Sequence, residues 1–217
     1  MSTRDLFGEQ VGAPECEALA DGAVLLRGLV VKEAPALLRA INGVIARAPF
    51  RNMITPGGFT MSVAMTNCGR AGWLTDRKGY RYDGIDPETG QAWPELPEAF
   101  MRVARRASAA AGYGGFVPDA CLVNRYEPGT RLSLHQDRNE RDFTAPIVSV
   151  SLGLPAVFLF GGAERSDRPR RYRLEHGDVV VWGGPARLAF HGVAPLADGE
   201  HPSTGRLRFN LTMRKAL

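Results

Sequence analysis

Lysine is nearly missing from this chain: Lys32, Lys78 and Lys215 are the only three among 27 basic residues, so 27 − 3 = 24 are arginine. Basic residues exceed the 23 acidic ones by 27 − 23 = 4, and the isoelectric point is near 9.2. So mild a surplus is compatible with a nucleic-acid partner and does not establish one. Arginine is the better bidentate phosphate ligand, yet the abundance of Ala and Gly leaves codon composition as an equal explanation. Cysteine is as scarce. Cys16, Cys68 and Cys121 are odd in number, far apart and in no CxxC pair. That argues against a disulfide framework or a zinc cage and predicts free buried thiols in a reducing compartment. No apolar run approaches the ~20 residues needed to cross a bilayer. The first ten residues lack the apolar stretch of a signal peptide. A cytoplasmic protein with no membrane partner is the expectation. Internal repeats and low-complexity segments are also lacking, and only four histidines exist.

What is present suffices for one domain with a substantial core: 217 residues, 44% hydrophobic and 23% charged. Residues 1 to 20 read as a loose lead-in, and Ala23 to Arg27 as a short strand. From Lys32 to Arg47, Leu37, Leu38, Ile41, Val44 and Ile45 follow helical spacing, with Pro35 in the first turn and Pro49 as the stop. A second helix is expected from Pro94 to Ala111, with Arg102, Arg105 and Arg106 on its solvated side. Between them, Phe59 to Thr66 alternates and predicts a strand with Phe59, Met61, Val63 and Met65 on one face. Trp73, Tyr80 and Tyr82 then stand among Arg70, Arg77, Lys78 and Arg81. Such interleaving suits single-stranded nucleic acid, where rings stack on bases and cations meet phosphates. A hairpin with a small aromatic core fits equally. After Ala120 the chain is short, well-punctuated strands without helices, which indicates a sandwich or jelly roll buttressed by the N-terminal helices.

The centre of the chain is Asn124-Arg-Tyr-Glu-Pro-Gly-Thr-Arg-Leu-Ser-Leu-His135-Gln-Asp137. In a strand, i and i+2 side chains share a face, so His135 and Asp137 are able to address one metal ion. His191, 191 − 137 = 54 residues on, is the candidate third ligand. Two His and one carboxylate form the facial site of non-haem Fe(II) oxygenases. His-x-Asp spacing is weak by itself, and a strand-capping His135 stays open. On the last strand-like run, Arg208, Asn210 and Arg214 share parity. Three polar residues on a core-facing side call for an acidic ligand, although outward alternation into solvent fits the pattern too.

Longer motifs carry more. Leu122-Val-Asn-Arg-Tyr-Glu-Pro-Gly, His135-Gln-Asp137, Ile147-Val-Ser-Val-Ser-Leu-Gly-Leu-Pro, Glu175-His-Gly-Asp-Val-Val-Val-Trp-Gly-Gly184, His191-Gly192 and Arg208-x-Asn210-Leu-Thr-x-Arg214 occur in this order. Together with Thr55 to Asn67, they closely resemble the AlkB alkylation-repair dioxygenases, the bacterial members above all. The resemblance spans nearly the whole chain. It implies a mainly β, α+β fold: a double-stranded β-helix with a helical buttress and a nucleotide-recognition lid. One domain, 1–217, would hold the lid within about 50–90 and the catalytic jelly roll in about 118–217. It implies Fe(II) held by His135, Asp137 and His191, and 2-oxoglutarate held by Asn124, Tyr126, Arg208, Asn210 and Arg214, with Arg214 counted among the catalytic residues. O2 and 2-oxoglutarate would be co-substrates in oxidative demethylation of 1-methyladenine and 3-methylcytosine, releasing formaldehyde. Trp73 would stack on the flipped base, with Tyr80, Tyr82, Asn139 and Arg165 also contacting the nucleotide. The implied partner is single-stranded alkylated DNA, with duplex DNA and RNA left open, and the implied state is a monomer. Asn139 departs from an acidic residue in the family and Leu74 from a small polar one, which puts lesion preference in question. A protein or small-molecule hydroxylase, or a non-enzymatic metal-binding module, are the alternatives. His176 needs no catalytic role.

Overall fold

The computed structural model describes residues 15–217. Seven strands form the larger sheet in the order β1-β2-β11-β8-β13-β6-β3. These are β1 (Cys16–Ala20), β2 (Ala23–Leu26), β3 (Ala64–Gly69), β6 (Ala120–Tyr126), β8 (Ile147–Gly153), β11 (Val179–Trp182) and β13 (Arg208–Arg214). A smaller sheet runs β10-β9-β12-β7, from β7 (Leu132–His135), β9 (Ala156–Phe160), β10 (Arg170–Leu174) and β12 (His191–Val193). A separate hairpin pairs β4 (Gly72–Asp76) with β5 (Gly79–Asp83). This is a double-stranded β-helix.

Alternation along the central strands explains where the core sits. Val148, Val150, Leu211 and Met213 point outward, where helices α1 (Ala34–Arg47) and α2 (Glu98–Ala110) cover them with Leu37, Ile41, Val44, Phe100 and Val103. The other parity faces the smaller sheet. There Ile147, Trp182 and Tyr126 pack with Phe158, Phe160 and Val193. Both faces of the larger sheet are therefore buried. Arg208, Asn210, Thr212 and Arg214 lie on the inner side, all buried, because the apolar parity of β13 is taken by the helices. The solvent-facing alternative for these residues is excluded.

Several sequence expectations shift. Helix α2 begins at Glu98, not Pro94: Pro97 stands extended before it at ψ 140°, and a residue ahead of proline is pushed out of the helical region. The strand expected from Phe59 starts only at Ala64, and Phe59 is 77% exposed at the tip of a Thr55-Pro-Gly-Gly turn. The lead-in contains β1, while its first fourteen positions lie outside the described residues. Cys68 and Cys121 are buried free thiols, but Cys16 is exposed on this edge strand. Arg102, Arg105 and Arg106 are exposed as expected, and Arg106 also pairs with Glu33 of the α1 approach. Among the described residues no helix is long and apolar enough to cross a membrane.

Candidate metal centre

β7 ends at His135, β12 begins at His191, and antiparallel register sets the two directly opposite. Their ring centroids are 4.4 Å apart. Gly192 permits this approach: a Cβ there would lie 2.7 Å from the Leu132 carbonyl oxygen. Each imidazole Nδ1 meets a main-chain carbonyl two residues earlier, Ser133 at 2.9 Å and Ala189 at 3.0 Å. A carbonyl only accepts, so each Nδ1 carries the proton and each Nε2 lone pair is left for a metal. Asp137 corrects the sequence reading in its detail. The strand has already ended at His135, so Asp137 reaches the histidines from the following loop and not by strand parity.

Two arginines fix that loop. Arg214 donates through Nε (2.9 Å) and Nη2 (2.7 Å) to Asp137 Oδ2. Arg187 donates to the carbonyls of Asp137 (2.8 Å) and Ala145 (3.1 Å) and to Glu140 Oε2 (3.2 Å). His135 Nε2 stands 3.8 Å from Asp137 Oδ1, and His191 Nε2 stands 3.6 Å from Oδ2. The three donor atoms lie within 4.8 Å of one another. Two imidazoles with a preset tautomer and one carboxylate suit Fe(II) by donor chemistry.

Burial by itself would raise the Asp137 carboxyl, but Arg214, then His191 and His135, outweigh it and hold the group well below the usual carboxylate range. Burial, reinforced by His135, pushes His191 from 6.5 down to about 4. A group that binds its proton less readily when folded contributes stability above its unfolded value and loses it as pH falls through the folded one. The metal-free protein should therefore lose roughly 3 kcal/mol between about pH 6.5 and pH 4 through His191. Guanidinium melts at several pH values should show this slope, and His191→Gln should flatten it. A wild-type stability constant across that window would contradict the assignment.

Beside the triad, one cavity gathers Asn124, Tyr126, Arg208, Asn210 and Arg214 with His135 and His191. Arg208 is 1% exposed, stacks over Tyr126 at 4.8 Å and donates to Ser151 Oγ at 3.0 Å. Its Nε and Nη1 find no partner among the described residues, nor does Asn124 Oδ1. Burial lowers the Arg208 pKa from its ordinary value, but a guanidinium keeps its charge in proteins. It pushes Tyr126 up to about 12, which keeps that hydroxyl a donor. A buried cation with two vacant donors is costly unless an anion completes it, and a dicarboxylate fits. Asn124 and Asn210 are already joined, Nδ2 to Oδ1 at 3.1 Å. The sequence reading missed Ser149 and Ser151, which the Val-Ser-Val-Ser parity of β8 had encoded, as well as Arg187 and Glu140, which no local pattern marks.

The aromatic hairpin stands over the loop. Buried Asn67 grips both main-chain groups of Trp73, accepting from its N–H (3.0 Å) and donating to its carbonyl (3.1 Å). Trp73 and Tyr80 stack at 5.8 Å. The Trp73 indole donates to Asn139 Oδ1 at 3.2 Å, and the Tyr82 hydroxyl donates to Glu140 Oε1 at 2.6 Å. Leu74 points the other way, into the core, so its departure from the family pattern does not reach the hairpin's open face. Arg165 lies over Phe190, next to His191, at 5.4 Å. His176 accepts from the Gly153 N–H and stacks on His201, apart from the triad.

The family model described as "2OG-Fe(II) oxygenase superfamily" matches residues 22–214. The chain is 58% identical over 212 residues to "Alpha-ketoglutarate-dependent dioxygenase AlkB" of Escherichia coli (strain K12), covering 98% of this chain and 97% of that one. It is 46% identical over 184 residues to the "AlkB homolog" of Caulobacter vibrioides, covering 83% and 81%. Among solved structures, that of OsALKBH1 superposes with a TM-score of 0.81 at 28% identity, covering 93% of this chain and all of the other.

Proposed function

This chain belongs to the 2OG-Fe(II) oxygenase superfamily and to the AlkB-type dioxygenases within it, and on that premise we propose how its own residues carry out oxidative demethylation of N-alkylated bases in nucleic acid. His135, Asp137 and His191 hold iron, while Arg208, with Asn124, Tyr126, Asn210 and Arg214, holds 2-oxoglutarate in the same cavity. When bound there, iron with 2-oxoglutarate and O2 would supply the oxidising chemistry that removes an N-methyl group as formaldehyde, with succinate and CO2 as co-products. The protein's part is placement. Backbone carbonyls orient both imidazoles, Arg214 orients the carboxylate, and the walls of Leu122, Leu132, Phe158 and Trp182 exclude water. The observation that carries this reading is the buried Arg208 guanidinium, its Nε and Nη1 without a partner among the described residues, in one cavity with the His–Asp–His cluster.

The substrate is single-stranded alkylated DNA, and the protein works as a cytoplasmic monomer. The segment of about 50–90 is the lid and about 118–217 the catalytic core. Trp73 stacks on the flipped base, with Tyr80, Tyr82 and Arg165 along the nucleotide. Asn139 spends its carbonyl oxygen on the Trp73 indole, which leaves its NH2 to donate to a base presenting an oxygen. That favours neutral lesions relative to the cationic 1-methyladenine. The test is 2-oxoglutarate turnover with and without a methylated single-stranded oligonucleotide. Stimulation by the methylated strand alone supports repair. Turnover stimulated only by peptides or small molecules selects another hydroxylase, and metal binding without turnover selects a binding module. Trp73→Ala should weaken oligonucleotide binding by about 1–3 kcal/mol, roughly 5- to 150-fold, and leave 2-oxoglutarate affinity alone. Unchanged oligonucleotide affinity would return Trp73 to a packing role.

A further inference from the structure

We propose that Glu140 is a positioning residue that locks the aromatic hairpin to the metal-binding loop. Trp73 and Tyr82 are direct cross-strand partners in the β4–β5 hairpin. Two consecutive loop residues grip this pair: Asn139 takes the Trp73 indole N–H and Glu140 the Tyr82 hydroxyl. The same Glu140 carboxylate accepts from Arg187 through Oε2 and faces Arg214 Nε at 3.5 Å through Oε1. Both arginines hold Asp137, one by its carboxylate and the other by its main-chain oxygen. The side chain of Glu140 is 1% exposed.

A buried carboxylate is a poor way merely to glue a hairpin down. Its desolvation costs several kcal/mol, and apolar packing of the same volume often holds as well or better. Directional bonds are what the carboxylate adds. Oε1 fixes where the Tyr82 ring ends, and Oε2 fixes Arg187 in the plane that also meets Asp137. Glu140 thereby sets the position of the Trp73–Tyr82 pair relative to the triad, a distance that hydroxylation of a base-borne methyl group must hold closely. This inference rests on the nucleic-acid reading for its consequence in binding, and on geometry alone for the latch.

Three measurements on the metal-free full chain separate these. Tyr82→Phe and Glu140→Ala should each speed amide hydrogen exchange in β4–β5 by roughly tenfold, the worth of one hydrogen bond to a charged group. Glu140→Gln keeps an acceptor for Tyr82 but loses charge against the arginines. It should weaken Mn(II) binding several-fold with hairpin exchange little changed, an outcome that a general loss of stability would not give. For a single-stranded oligonucleotide carrying 1-methyladenine, Tyr82→Phe and Glu140→Ala should each lower affinity about tenfold, and the double variant should be no worse than either. Should Glu140→Ala not fold, Tyr82→Phe and Glu140→Gln still decide. Unaltered hairpin exchange in Tyr82→Phe, or additive losses in oligonucleotide affinity, would overturn the latch. A wild type that fails to bind the oligonucleotide while the exchange and Mn(II) results hold would refute the nucleic-acid reading instead.

Discussion

Asp137→Ala should abolish turnover of 2-oxoglutarate and destabilise the protein as well. Changes to residues that only support metal ligands typically cost about 10- to 100-fold, so losing a ligand outright should exceed that and fall below detection. His135→Ala and His191→Ala should match it in activity. They should differ in stability, and the structure says why. Asp137 is the partner of Arg214, a cation whose side chain is 6% exposed and whose pKa the carboxylate raises despite burial. Removing one member of a buried pair leaves the other uncompensated, at about 3–5 kcal/mol. Glu140, 3.5 Å from Arg214, offsets part of that, so the lower end applies. His135, with 37% of its side chain exposed, leaves no such orphan. The fold should survive all three changes, since the apolar core lies elsewhere. Denaturant melts should rank Asp137→Ala as the least stable. Near-wild-type decarboxylation in Asp137→Ala would sink the metal assignment.

Arg208→Met should have opposite effects on two quantities. Affinity for 2-oxoglutarate should fall by roughly 10- to 150-fold, because a bidentate bond between charged groups is worth about 1.5–3 kcal/mol. The ligand-free protein should become more stable. Its guanidinium is buried, with Nε and Nη1 lacking a partner among the described residues, and replacing a poorly compensated buried charge by an apolar residue of similar size commonly adds about 1–4 kcal/mol. A thermal melt with and without 2-oxoglutarate, together with anaerobic calorimetry, reads both effects. The wild type should gain stability on adding the ligand, and the variant should start higher and gain little. An unchanged titration would remove Arg208 from the 2-oxoglutarate site. Arg214 differs in kind: two of its donors are already committed to Asp137, so Arg214→Ala should weaken metal and 2-oxoglutarate together.

The sequence by itself determined the family, most of the strands after Ala120 and the candidate residues that the fold gathers around one cavity. Those signals are local. The alternation of Arg208 to Arg214 or Ile147 to Gly153 states which side chains share a face, and motifs such as His135-Gln-Asp137 keep their chemistry in a few adjacent positions. Parity cannot say which face looks inward. That was decided by α1 and α2 covering the apolar side of β13, which turned its polar side onto the smaller sheet. Tertiary structure also decided what lies between sites. His191 meets His135 through antiparallel register, at a close approach that a glycine permits. Asp137 is aimed by an arginine 214 − 137 = 77 residues away. Glu140, Arg187 and Tyr82 meet across 58 and 47 residues of chain. Buried polar groups are satisfied by whatever the folded chain brings near, and no spacing along the sequence encodes that partner.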